Sequence, residues 1–201
     1  MGLNFGTEAG QTRLDEDEIE GLLLYSVTTR GELDEFEQEN IERAVIWTLG
    51  RTLPAERLFS EEFVRQLHVR MFGDVWAWAG KFRSTDKNLG INKWHIASAL
   101  KALLDDALYW HAHAVYPPDE LAIRFKHRLV SIHCFPNGNG RHSRLIADVV
   151  ASNLYGQPPF SWGARMPASG ERVRSTYMQA LRTADAGDAG DVGPLVAFAR
   201  S

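Results

Sequence analysis

Cysteine is almost absent from this chain of 201 residues: Cys134 stands alone. An internal disulfide is therefore excluded, and a reducing compartment is the natural setting. Also missing is any run of about 18 apolar residues, so no segment reads as a membrane-spanning helix. The first thirteen residues lack the apolar stretch of a signal peptide, and the default location is the cytoplasm. Nor is there a basic excess. Lys and Arg number 22 against 26 Asp and Glu, a net charge of -4, which argues against direct binding to nucleic acid or an anionic membrane surface while leaving room for a local basic patch. Repeats and low-complexity tracts are missing too. What remains, 44% hydrophobic and 24% charged residues, is the composition of a globular chain large enough to bury its own core. One domain over residues 1–201 is the simplest organisation.

Helical periodicity dominates the chain. Residues 1–13 read as a loose polar lead-in. Asp15 to Glu20 places five acids in six positions before Gly21, a short acidic helix stopped by a glycine. From Glu32 to Leu49 the residues Leu33, Phe36, Ile41, Ala44, Val45 and Thr48 recur on one helical face, with acids mostly on the other. Ser60 has the chemistry of an N-cap, with Glu61 and Glu62 in the first turn and Phe63, Val64, Leu67 and Met71 facing inward. Between Val75 and Trp94 the period fails. Asp86, Lys87, Asn88 and Gly90 are turn residues there, which predicts a hairpin over 80–94 with core-packed tryptophans at its ends. Helical spacing returns at Ile96, Leu100, Leu103, Leu104 and Ala107. Pro117 and Pro118 end that helix, and Pro118, Asp119 and Glu120 open the next. Gly156 to Pro167 reads as a loop, Val173, Tyr177, Ala180 and Leu181 as a helix, and Leu195 to Ala199 as a last apolar piece. The fold class expected is all-α with one small β-hairpin.

The densest chemistry lies between two amphipathic patterns, one through Leu121, Phe125, Leu129 and Ile132, the other through Leu145, Ile146, Val149 and Val150. The loop joining them reads His133-Cys134-Phe135-Pro136-Asn137-Gly138-Asn139-Gly140-Arg141-His142-Ser143-Arg144. A glycine turn opening a helix leaves the first amides of that helix unpaired and aimed at whatever occupies the loop, where the helix dipole favours negative charge. That is a site for phosphate. His133, with an ordinary pKa of about 6.5, is the loop's candidate general base. Gly138 and Gly140 let the backbone approach a pyrophosphate. Asn139 either fixes the loop or donates to a phosphate, and Arg141 and Arg144, three apart on the first helical turn, can both clasp a polyphosphate. Cys134 reads as a core filler, and His111 and His113, two apart, are wrongly spaced for paired ligands on one helix face.

The loop resembles the signature of the Fic family (filamentation induced by cyclic AMP), His-x-Phe-x-(Asp/Glu)-Gly-Asn-Gly-Arg-x-x-Arg, at His133, Phe135, Gly138, Asn139, Gly140, Arg141 and Arg144. The size and style of the chain are similar to those of the Fic proteins called mobile mystery protein B. The likeness runs from about Asp15 to Ala199, including a closing Ala184-Asp185-x-Gly187-Asp188 and Pro194-Leu195. What it implies is a helical Fic bundle that transfers AMP from ATP to a Ser, Thr or Tyr hydroxyl of a protein target, with self-modification as one outcome. His133 would be the base, and Gly138, Asn139, Gly140, Arg141 and Arg144 would hold the nucleotide. The 80–94 hairpin would be a flap that docks the target through Arg83, Ser84, Thr85, Leu89, Gly90 and Ile91.

One position departs from the signature. Asn137 stands where the resemblance calls for an acid on a divalent cation, Mg²⁺ or Mn²⁺, and a neutral amide is a weaker ligand for either. The resemblance also implies an inhibitory helix over 14–24, whose Glu20, followed by Gly21, would pair with the second arginine of the loop; Glu39, followed by Asn40, is the alternative. Two other readings stay open. One is a related phosphotransfer or removal of AMP, and the other is a nucleotide-binding regulatory module weakened by Asn137.

Overall fold

The computed structural model describes residues 15–186 and 190–201, without the side chains of Glu16 and Asp17. The expected lead-in and the Gly187-Asp188 pair lie outside the described residues. In chain order the helices are α1 (Glu16–Ile19), α2 (Arg30–Leu49), α3 (Ala55–Leu58), α4 (Glu61–Phe72), α5 (Ile96–Ala112), α6 (Pro118–Ile132), α7 (Asn139–Tyr155), α8 (Gly170–Asp185) and α9 (Gly193–Arg200), with a 3₁₀ turn at Lys93–His95. None of them is long and apolar enough to cross a membrane.

Local chemistry places the helix starts. Thr29 and Glu32 form a reciprocal capping box on α2, and the Ser60 hydroxyl accepts from Phe63 N at 3.1 Å to open α4. Pro118 occupies the first turn of α6, where its missing N–H leaves no bond unmade. The centre is the pair α6 and α7, against which α2, α4, α5 and α9 pack, with α8 lying on α9. Phe125, Ile132, Ile146, Val150, Phe63 and Leu67 fill the interior.

Two expectations fail. Along α2 the buried stripe is Leu33, Glu37, Asn40, Ala44 and Thr48, while Phe36 is 41% exposed. An acid is drawn inward because cationic and indole donors await it there, which apolar periodicity does not register. The hairpin over 80–94 also has no paired strands. The sole β-bridge among the described residues joins Leu22 to Trp76. Arg83 explains the difference. Its guanidinium lies between the two limbs and donates to Thr85 O at 2.9 Å and to Ile91 O, filling the space a ladder would need. Instead of pairing with itself, the segment pairs with the end of α6 and the residues after it, through Arg83 N to Cys134 O at 2.9 Å and Ile91 N to Ile132 O at 3.5 Å. Trp76 and Trp78 are core, as expected, but Trp94 is 80% exposed.

Candidate functional site

The loop between α6 and α7 is shaped by its backbone first. His133 ends α6 in the left-handed region, at φ 56° and ψ 60°, a conformation that strains a non-glycine residue by of order 1 kcal/mol. Two contacts hold it there. Arg83 Nε donates to His133 O at 2.6 Å, and Gly90 packs so closely that a Cβ on it would lie 2.4 Å from His133 Cβ. Five residues on, Gly138 starts α7 at φ 78°, where a Cβ would lie 2.6 Å from the Phe72 ring. Asn139 closes the turn. Its side chain donates to Phe135 O at 2.8 Å and accepts from Phe135 N at 3.0 Å, so of its two expected roles it performs the one of fixing the loop.

Two histidines that the sequence did not single out support this turn from beneath. Gly80 N donates to His68 Nδ1 at 3.0 Å, so the His68 proton sits on Nε2 and is donated to Asn137 O at 3.1 Å. His142 Nε2 donates to Val64 O at 2.9 Å. Phe135 lies against His68 with 3.8 Å between ring centroids. Burial, with the nearby His142 and Arg141 adding to it, holds His68 well below the ordinary histidine range, and burial brings His142 down to about 4.

Stability should therefore decline in acid. Between pH 6.5 and about 4 the unfolded chain takes up protons on His142 and on His133 of the loop that the native one refuses, each contributing up to roughly 1.4 kcal/mol per pH unit, and His68 acts in the same direction. Asp148 opposes them, because burial lifts its carboxyl to about 6 and the native state then binds a proton that the unfolded chain does not. The expected result is a loss of roughly 3–4 kcal/mol between pH 7 and pH 5 by urea unfolding, with a smaller slope for His142→Gln. Equal stability at the two pH values would contradict it.

Above the loop is a cavity of about 910 Å³. Its lining combines polar and loop residues, among them Lys87, His133, Asn137, Arg141 and Arg144, with the apolar Trp162, Val173, Tyr177, Met178 and Phe198. Five cationic side chains (Arg30, Lys87, Arg141, Arg144 and Arg174) face three acidic ones (Asp15, Glu18 and Asp34) there, a positive site in an acidic protein. No side chain caps α7, so its first amides remain available. A Cβ on Gly140 would meet nothing within 4 Å; the glycine leaves open volume at the helix mouth. The His133 ring takes no hydrogen bond among the described residues. Burial, then the nearby Arg83 and Lys87, lowers it to about 4, and it is neutral at physiological pH. Cys134 is buried and pushed up to about 12 by that burial, which makes it inert filler.

The two arginines differ. Arg141 is spoken for by Glu37, which is 3% exposed and also accepts from Trp76 Nε1 at 2.5 Å. Arg144 forms no ion pair or hydrogen bond among the described residues. Near it, fully buried Lys126 donates to the Tyr177 hydroxyl at 2.7 Å, and burial with the Arg144 charge brings that ammonium down to about 7.

The glutamate–arginine pair expected of Glu20 is not made. Glu20 is exposed, and so is the alternative, Glu39, which lies 3.7 Å from Arg43. Glu18 enters the site instead, 2% exposed, and it meets Asn137 Nδ2 at 3.1 Å and Lys87 Nζ at 3.1 Å rather than Arg144. Tertiary anchoring sets that register. Trp78 Nε1 donates to Glu18 O at 3.0 Å, and Leu23 N to Val75 O at 2.9 Å; a Cβ on Gly21 would strike Trp78 Cδ1 at 2.3 Å. Of the six expected docking residues, Arg83 is 3% exposed and acts as the staple just described, Leu89 is 66% exposed, and Ser84 and Gly90 are exposed. Thr85 and Ile91 are half-buried.

These donors do not suit the expected divalent cation. Asn137 Oδ1 already accepts from Gly138 N at 2.6 Å, and its NH₂ faces the neighbouring carboxylate. The reverse amide orientation would set oxygen against carboxylate and NH₂ against N–H. Among the described residues no three Asp, Glu, His or Cys side chains converge, and the two acids beside Asn137 already share an ammonium.

The Fic/DOC family profile matches residues 58–151. The fold is similar to that of a Fic domain containing signaling protein from Bacteroides thetaiotaomicron, with a TM-score of 0.66 and 22% identity over 81% of this chain and 66% of that one. BepC of Bartonella tribocorum, solved with bound AMPPNP, gives a TM-score of 0.66 and 16% identity over 88% of this chain and 86% of its own. Fic-1 from C. elegans gives 0.62 and 24% over 80% of this chain, which spans only 46% of that one. No curated protein matches the chain. The segment that matches the Fic/DOC family profile, residues 58–151, holds both the buried-histidine support and the whole loop from His133 to Arg144.

Proposed function

We propose that the chain is a protein adenylyltransferase that moves AMP from ATP to a Ser, Thr or Tyr hydroxyl of a protein, itself included. The observation that carries this reading is what one cavity brings together: a neutral imidazole without a hydrogen-bond partner among the described residues, an uncapped helix mouth and the guanidinium of Arg144. In the reaction the His133 ring takes the proton of the target hydroxyl. The freed oxygen bonds to the α-phosphorus, the bond from that phosphorus to the α–β bridging oxygen breaks, and pyrophosphate leaves. Charge developing on the leaving group falls on the α7 amides and Arg144. The apolar lining of Trp162, Val173, Tyr177 and Met178 suits a purine ring, and the AMPPNP of BepC and the ADP of a Bartonella quintana Fic domain support an adenine nucleotide. Leu89, exposed at the cavity rim next to Gly90 and His133, is where a target segment would lie. In this scheme residues 1–201 work as one domain, with 80–94 as its flap.

The segment over 14–24 acts as a brake, with Glu18 rather than Glu20 as its working acid, since Glu18 occupies the cavity that phosphates would enter. Intact mass and labelling test both ideas. With Glu18→Gln protein, label from α-³²P ATP is expected on protein and label from γ-³²P ATP is not; the reverse result would mean phosphate transfer. Glu18→Gln should also bind ATP about tenfold more tightly than wild type, since a buried carboxylate no longer opposes the phosphates. Equal affinity would remove Glu18 from that role.

A further inference from the structure

We infer that Lys87 supplies the counter-charge for a nucleotide's phosphates in this chain, in place of a resident divalent cation, and that Asp15 and Glu18 stand on it as displaceable phosphate surrogates. The inference rests on the nucleotide reading above. Lys87 Nζ lies 2.6 Å from Asp15 Oδ2 and 3.1 Å from Glu18 Oε1, with its side chain only 10% exposed. The other Glu18 oxygen accepts from Asn137 Nδ2 at 3.1 Å. One carboxylate thus bridges an ammonium and an amide donor on the wall of the cavity, beside His133. A phosphate oxygen has the same charge sign and the same accepting geometry, and it makes both bonds when the carboxylate leaves.

Asn137 fits this role and not the other. Its oxygen is tied to Gly138 N, so the loop presents an N–H to an anion here, where a cation ligand would have to present oxygen. Charge agrees. A carboxylate holding a divalent cation contributes one net positive charge to the site, and a neutral amide with a lysine ammonium contributes the same. Lys87 is carried on a segment that Arg83 ties to the loop at His133 O, so its position does not depend on the acids that now clasp it.

ATP binding by calorimetry with Mg²⁺ or with EDTA tests this, using Glu18→Gln protein so that the carboxylate does not mask the site. Affinity in EDTA is expected to be within about threefold of that in Mg²⁺. Adding Lys87→Met should weaken ATP binding in EDTA by about tenfold or more and leave adenosine binding unchanged, while Lys87→Arg should stay within about threefold of its parent. Asn137→Asp should make ATP binding depend on Mg²⁺. Binding of ATP only with Mg²⁺, or Lys87→Met equal to its parent in EDTA, overturns the role of Lys87 and leaves the nucleotide reading intact if adenosine and Mg²⁺-ATP still bind. If neither ATP nor adenosine binds under any of these conditions, both readings fall together.

Discussion

His133→Ala protein is expected to transfer AMP about 10²–10⁴-fold more slowly than its parent, the usual contribution of a positioned general base, while binding ATP within about twofold. The two effects separate because the ring takes no hydrogen bond from the protein, so its removal leaves no buried donor or acceptor unpaired. The backbone is held left-handed by Arg83 and Gly90, and alanine meets the same strain there, so the loop should keep its path. A pH profile adds a sign that a structural role would not produce. In the nucleotide-free protein His133 titrates at about 4, so kcat/KM should stay level from pH 8 down past pH 6. A bound polyphosphate favours the imidazolium and raises that value, which places the acid limb of kcat at higher pH than that of kcat/KM. A His133→Ala enzyme as fast as its parent would end the base assignment.

Glu37→Ala should produce the largest loss of stability. Glu37 joins Arg141 of the loop to Trp76 of the core from the buried side of α2. Removing one partner of a buried ion pair commonly costs about 3–5 kcal/mol, because the other charge is left uncompensated. Arg141 retains 33% side-chain exposure and can turn partly to water, so roughly 2–4 kcal/mol is expected by chemical denaturation. Glu37→Gln keeps an acceptor for the indole and should lose roughly half as much. If alanine and glutamine are both near neutral, α2 is held by its apolar face alone.

Much of the site was readable because its information is local. The two apolar stripes flanking the loop, the glycine at the mouth of α7 and the Pro118 start of α6 all follow from side chains a few positions apart, which share a helix face or a turn whatever the rest of the chain does. The same rules put His133 and Arg144 on one cavity and Cys134 in the core. Reading failed where the partner lies far along the chain. Glu18 meets Asn137 across 119 positions and Glu37 meets Arg141 across 104; in sequence each is one acid among several on a polar helix face. His68, a turn inside α4, and Lys126, a lysine inside α6, carried no signal beyond the apolar neighbours that bury them.

By itself the sequence determined an all-α chain with a phosphate-directed turn between two buried helices, since helical period, capping and glycine conformation act over a few residues. Tertiary structure decided which acid enters the site, how the 80–94 segment is held and whether Asn137 faces an anion or a cation. Those outcomes depend on where Trp78 fixes the chain before α2, on the single guanidinium of Arg83 that replaces a ladder, and on the Gly138 amide that claims the Asn137 oxygen. Each is a directional bond to a partner that only folding brings within reach.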